Sequence, residues 1–208
     1  MKTEHKRFDT PLFLICGPSG AGKTVHKNML LEMYPDVYDF SISLSNREPR
    51  LGEVHGKDYF FCENDTAFHR CDKEGLLLER QEVYGGIWYG TLFSEIDRII
   101  SEKKIPIVDL DVEGAIDLLN RYPGQIIATA LTTTVECAEQ SIRKRGGIPE
   151  EQIQVRVAKA TRELERIKEN AKRFHLVLKR KENAVRETAM QMHHVYMLTA
   201  QQWSLQKV

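Results

Sequence analysis

The sequence has no excess of either charge: 30 Lys and Arg offset 30 Asp and Glu over 208 residues. Without a global field it offers nucleic acid, an anionic membrane or a polycationic partner no general attraction, so any anion binding must be local. No apolar run approaches the roughly 20 residues that a membrane span needs. The polar start Met1-Lys2-Thr3-Glu4-His5-Lys6-Arg7 lacks a signal-type apolar segment. Cysteine is scarce, and Cys16, Cys62, Cys71 and Cys137 make no C-x-x-C pair, which argues for reduced thiols. The seven histidines show no metal-ligand spacing, and the adjacent His193-His194 diverge on a helix, so no structural zinc is expected. These absences leave the expectation of a cytoplasmic protein with one main α/β domain, preceded by a polar tail over 1–10.

Hydrophobic patterning supplies the organisation. Leu12-Phe13-Leu14-Ile15-Cys16 is a short continuous apolar run, as in a buried parallel strand. A helix is predicted from Lys23 to about Met33, stopped by Tyr34-Pro35-Asp36 because the residue before proline is pushed out of helical geometry. A strand is expected over 38–44 and a loop over 45–57. Further strands follow over 59–62, 76–84 and 87–89, with Asn64 capping a short helix and Gly85-Gly86 turning a hairpin. From Leu92 helices alternate with apolar strands over 105–110, 126–131 and 175–178, which is the grammar of a parallel sheet. The segment 43–89 therefore reads as a mixed insertion into a core made of 11–42 and 90–208. A second excursion over 143–156 carries Arg143, Lys144, Arg145 and Arg156 around Gly146-Gly147, with Pro149 in the first turn of a new helix.

Between the first strand and first helix stands Gly17-Pro18-Ser19-Gly20-Ala21-Gly22-Lys23-Thr24, which has the spacing G-x-x-x-x-G-K-[ST]. Glycines let the backbone wrap a phosphate, and successive N–H groups with the helix N-terminus donate to it. Lys23 neutralises β/γ charge and Thr24 ligates magnesium. A nucleoside triphosphate is thus expected on this loop. In the polar segment after Ser41, Arg47 and Arg50 stand three apart, joined by serine and tyrosine hydroxyls. They are candidates to grip a second phosphate.

The order of glycine loop, S-x-S-x-x-x-R-x-P-R from Ser41, G-E-x-x-G-x-D-Y from Gly52 and Tyr89-Gly90-Thr91 resembles guanylate kinase, from about Leu12 to about Gln202. The resemblance implies a P-loop NTPase fold of the α/β class. Its doubly wound, mainly parallel sheet would carry an inserted mixed α+β GMP-binding lobe and a helical lid. It implies that Ser43, Arg47, Arg50, Tyr59 and Tyr89 hold the phosphate of GMP, while Glu79 and Thr91 read guanine. A carboxylate with a hydroxyl donor suits guanine independently, because N1 and N2 carry N–H groups beside the O6 acceptor.

Val108-Asp109-Leu110-Asp111 resembles the family's D-x-D at a carboxyl-terminal strand edge, which faces the ligand crevice in such folds. On this reading Asp109 orders magnesium through water and Asp111 approaches GMP. The alternative for Asp111 is a helix cap before Val112. Arg145 and Arg156 match two lid arginines that would join Lys23 and Arg47 in catalysis by stabilising charge on the transferred group. A purely solvated role on the lid is their alternative.

Some positions depart from the family. Ser141 stands where a further lid arginine is usual, Ser45-Asn46 replaces a pair of threonines, and the hairpin between Glu79 and Tyr89 is one residue longer. Leu176-Val177-Leu178 leads into Lys179-Arg180 where the family usually has an asparagine that faces adenine. The expected function is Mg2+-dependent transfer of the γ-phosphoryl of ATP to GMP or dGMP by a monomer or homodimer, with no nucleic-acid or membrane partner. Two alternatives are a non-catalytic module that binds a phosphorylated or acidic peptide and a kinase for another small phosphate ester.

Overall fold

A computed structural model describes residues 7–50, 52–144, 147, 149–181 and 183–205. The chain folds as two units, one made of 7–38 with 109–205 and the other of 39–108. The expected insertion, 43–89, lies wholly within the second unit.

The first unit begins with β1 (Leu12–Cys16), whose five residues are all buried, followed by the phosphate loop and α1 (Lys23–Met33). The chain passes through β2 (Tyr38–Phe40) into the second unit. That unit contains β3 (Ser43–Ser45), β4 (Phe60–Phe61), α2 (Asp65–Lys73), β5 (Leu77–Tyr84), β6 (Ile87–Leu92) and α3 (Phe93–Ser101). Strand β7 (Ile105–Leu110) returns the chain to the first unit, which continues with α4 (Val112–Arg121), β8 (Ile126–Thr132) and α5 (Val135–Lys144). It ends with α6 (Glu150–Glu169), β9 (Leu176–Lys179) and α7 (Val185–Leu205).

In the first unit β8 pairs in parallel with β1, setting Cys16 opposite Ala130, and with β9, setting Ala130 opposite Val177. Helix α1 packs on α7, and α5 on α6. Phe13 of β1 lies 4.9 Å from the ring of Tyr196 on α7 and 5.6 Å from Tyr38. The Tyr196 hydroxyl, out of water, donates to the carbonyl of Pro11.

The second unit is built on a four-stranded sheet of order β4-β3-β6-β5, with β3 and β5 antiparallel to β6 and β4 parallel to β3. Its core joins Leu44, Phe68 and Leu77 to the half-buried Phe60, Cys62, Cys71, Trp88 and Leu92. Asn64 caps α2 as expected, its side chain accepting from Ala67 N–H at 2.9 Å.

One strand expectation needs correction. The run 38–44 is not continuous but splits into β2 and β3 at Ser41-Ile42. There Ser41 N–H donates to Ile107 O and Ile42 N–H to the buried Glu95 carboxylate, so the two amides are satisfied away from a shared ladder. The β5–β6 hairpin turns at Gly85-Gly86, both at positive φ (57° and 78°), the backbone that a tight primed turn requires. Its register shifts between Leu77 and Glu79 and again between Glu82 and Tyr84.

Candidate active site

The phosphate loop sits between the carboxyl end of β1 and the start of α1. A Cβ at Gly17 (φ 151°) would lie 2.3 Å from the carbonyl oxygen of Leu131, so the path of the loop beside β8 admits only glycine. Helix α1 opens on Gly22 with no side-chain cap and no acidic residue in its first turn. Its first N–H groups and dipole are thus offered to an external anion. The Lys23 ammonium folds back over the loop and donates to Gly17 O at 2.7 Å. Thr24 is exposed in the first turn of α1. Cys16, just before the loop, is buried, and burial pushes its thiol pKa up, so it stays protonated and inert.

Asp109 stands near the end of β7, and Asp111 lies just beyond the strand as the N-cap of α4. Asp111 realises the helix-cap alternative, its Oδ1 accepting from Gly114 N–H at 2.9 Å. Its Oδ2 accepts from the Lys159 ammonium of α6 at 2.8 Å. Beside this pair the buried Glu163 of α6 keeps one carboxylate oxygen without a hydrogen-bond partner. Burial first, then the neighbouring Asp111 charge, pushes its pKa up to about 7. Neither Lys159 nor Glu163 carries a motif signal in the sequence. Arg156 lies half-buried on α6, whereas Arg145 lies outside the described residues.

In the second unit, cross-strand register places Ser43 opposite Thr91 and Thr91 opposite Glu79, so the three share one face of the sheet. Thr91 and Glu79 are 1% and 4% exposed, and the Thr91 hydroxyl donates to Glu79 Oε1 at 2.7 Å. A carboxylate at this depth is tolerable only when its acceptor oxygens are met by donors.

Arg47 is buried and charge-balanced. Its two terminal nitrogens hold both oxygens of Glu53 at 2.6 and 2.8 Å, and its Nε donates to the Tyr89 hydroxyl at 2.8 Å. The guanidinium lies 4.6 Å over the Tyr59 ring. These hydrogen bonds from Arg47 hold the Glu53 carboxyl down at about 2, so it is ionised across the ordinary pH range. The backbone N–H of Arg50 also donates to Glu53. Glu53 is therefore the residue that orients the expected phosphate grip, a role that the G-E motif alone does not reveal. Of the eight expected GMP residues, Ser43, Arg47, Arg50, Tyr59, Glu79, Tyr89 and Thr91 lie in this unit and Asp111 in the other.

The departures at Ser45-Asn46 and Ser141 acquire a structural meaning. Ser45 donates to Trp88 O at 2.8 Å. Asn46 accepts from Trp88 N–H at 2.7 Å and donates to Gly86 O at 2.8 Å, so it staples the β5–β6 hairpin at its turn. At Ser141 the side-chain oxygen receives the Arg180 guanidinium at 2.8 Å, and the same nitrogen reaches Gly20 O of the phosphate loop at 2.6 Å. The sequence marks Arg180 only as part of a departure.

A family model described as guanylate kinase matches residues 9–198. A protein named guanylate kinase from Oleidesulfovibrio alaskensis is 36% identical over 154 residues, which is 74% of this chain and 73% of that one. Another of the same name, from Chlamydia felis, is 38% identical over 146 residues, 70% of each chain. The crystal structure of guanylate kinase from Anaplasma phagocytophilum superposes with a TM-score of 0.70 at 20% identity, covering 93% of this chain and 88% of that one, a likeness of fold. With its phosphate loop, its α/β fold and these matches along most of its length, the chain belongs to the guanylate kinase family.

Proposed function

We infer that this protein is a nucleoside monophosphate kinase that transfers the γ-phosphoryl group of ATP to GMP, giving ADP and GDP. Family membership supports the reaction class. The observation that carries the acceptor is the buried Glu79 carboxyl group, an oxygen acceptor held on its sheet face by the hydroxyl of Thr91. Guanine answers it with N1 and N2 donors beside O6, whereas adenine lacks that pattern.

The loop 17–24 takes the donor's β and γ phosphates through its N–H groups and Lys23. The acceptor phosphate meets Ser43, Arg50, Tyr59 and Tyr89, with Arg47 held at its post by Glu53. An oxygen of this phosphate is the nucleophile, and as the P–O bond to the γ-phosphorus forms, the bond to the β-phosphate oxygen breaks and ADP leaves. The acceptor is already ionised near neutral pH, so no general base is needed. Positioning and charge carry the catalysis, and Lys23, Arg145 and Arg156 are the cations assigned to the transferred group.

The hydroxyl of Thr24 and, through water, the carboxylate of Asp109 are hard oxygen donors of the kind Mg2+ takes. Among the described residues no group of three or more His, Cys, Asp or Glu forms a site by itself. That fits an ion held chiefly by nucleotide phosphates, where it would neutralise charge on the β and γ oxygens.

Product analysis tests the reading. With γ-labelled ATP and GMP the label should appear in GDP. Label in inorganic phosphate alone, or GMP binding without turnover, would instead mark a hydrolase or a binding module.

A further inference from the structure

Helix α1 buries a histidine one turn after the phosphate loop. His26 is only 1% exposed, in a place that an aliphatic side chain would fill as well. Its Nδ1 lies 2.8 Å from Gly22 O. A carbonyl oxygen has no hydrogen to give, so Nδ1 carries the proton and donates. The other ring nitrogen, Nε2, is buried without a hydrogen-bond partner among the described residues. A polar atom left dry and unpaired lowers stability, and leucine at this position would avoid that loss. What histidine has and leucine lacks is the bond from Nδ1.

The carbonyl that Nδ1 holds sits where the loop becomes helix. Gly22 adopts φ 88° and ψ 18°, the left-handed turn from which α1 starts. Its carbonyl accepts twice, from the backbone N–H of His26 at 3.1 Å and from the ring at 2.8 Å. A Cβ on Gly22 would lie 3.3 Å from Nδ1 and Cε1, so the ring also packs against the glycine itself. Gly22 C=O and Lys23 N–H belong to one planar trans peptide and point in opposite directions, so fixing the oxygen fixes the aim of that N–H. Pulled toward the helix interior, the carbonyl turns the Lys23 N–H outward, to the side from which an anion approaches.

We propose that His26 is a positioning residue for phosphate binding: by gripping the Gly22 carbonyl it aims the Lys23 N–H at the donor's phosphates, at a loss of stability that an aliphatic residue would not bring. The proposal rests on the reading that a nucleoside triphosphate occupies the loop. His26 acts only through Gly22, so its removal should be felt by any ligand with the phosphates and by no ligand of the second unit.

Binding of Mg-ATP, magnesium tripolyphosphate and GMP is titrated calorimetrically for wild type, His26→Leu and His26→Asn, with urea unfolding of each. Leucine fills the space without a donor. Asparagine carries its amide nitrogen as many bonds from the backbone as Nδ1, so it keeps the donor. His26→Leu should bind both polyphosphates about fivefold more weakly, hold GMP within about twofold of wild type and unfold at a higher urea concentration. His26→Asn should bind both polyphosphates within about twofold of wild type. A histidine with a merely structural role would show the opposite change in stability and no distinction between ligands. Polyphosphate affinity of His26→Leu within about twofold of wild type, an equal loss for GMP, failure of that variant to fold, or no recovery in His26→Asn overturns the proposal. Wild type that binds neither polyphosphate would defeat the loop reading and this proposal with it. Binding without GMP-dependent turnover would defeat only the assigned reaction and leave the comparison decisive for His26.

Discussion

The Thr91 hydroxyl donates to Glu79 Oε1 at 2.7 Å across adjacent strands, with both side chains buried. The bond fixes the carboxylate that is assigned to the guanine N–H groups, and it makes Thr91 part of that carboxylate's support. Glu79→Gln should lower kcat/KM for GMP about a hundredfold, because an amide N–H would replace a carboxyl oxygen acceptor at a buried site. Thr91→Val, nearly isosteric, should lower it about tenfold. In both variants the KM for ATP should stay within twofold. Steady-state kinetics with each substrate varied in turn checks this, and an equal change in both KM values would refute the assignment.

Glu163 gives the protein a stability term of unusual sign. Its folded-state pKa is raised from 4.5 to about 7, so the folded chain keeps a proton that the unfolded chain releases. That contribution is complete below about pH 4.5 and is lost as pH rises toward about 7. Glu163→Gln is neutral throughout and should gain on wild type across this window, by on the order of 3 kcal/mol at pH 8. Urea unfolding at pH 5, 6, 7 and 8 measures the difference. A difference that does not grow with pH would contradict the assigned titration.

Asn46 ties Trp88 N–H and Gly86 O together at the turn of the β5–β6 hairpin. Asn46→Ala should destabilise the protein by about 1–3 kcal/mol, since two backbone groups lose their partner. Amide exchange should rise first at Gly86 and Trp88 and spread least to β1 and β8, where every residue but Thr132 is buried. Uniform acceleration across both units would show that the hairpin does not open on its own.

What the sequence discloses is what lies close along the chain. The glycine loop, the apolar run 12–16 and the Asn64 cap each depend on neighbours within a few residues, so they can be read without a fold. The helix-cap alternative for Asp111 is legible for the same reason, since its acceptor contact is with Gly114. Arg180 meets Gly20 across 160 residues, Lys159 meets Asp111 across 48 and Asn46 meets Gly86 across 40. No periodicity links such pairs, because they are brought together only when strands and helices have packed. The split of the expected strand 38–44 has the same origin, with Ile107 and Glu95 supplying the hydrogen-bond acceptors from distant elements.

The central claim, a kinase whose acceptor is GMP, meets its most direct test in ADP formation from Mg-ATP with GMP, dGMP, AMP, CMP and UMP offered in parallel. Wild type should turn over GMP fastest, with dGMP next and AMP, CMP and UMP lower by at least about a hundredfold. Lys23→Ala should lose at least about a hundredfold with every acceptor. Turnover with GMP no higher than without any acceptor, or faster turnover with another nucleotide, would contradict the account.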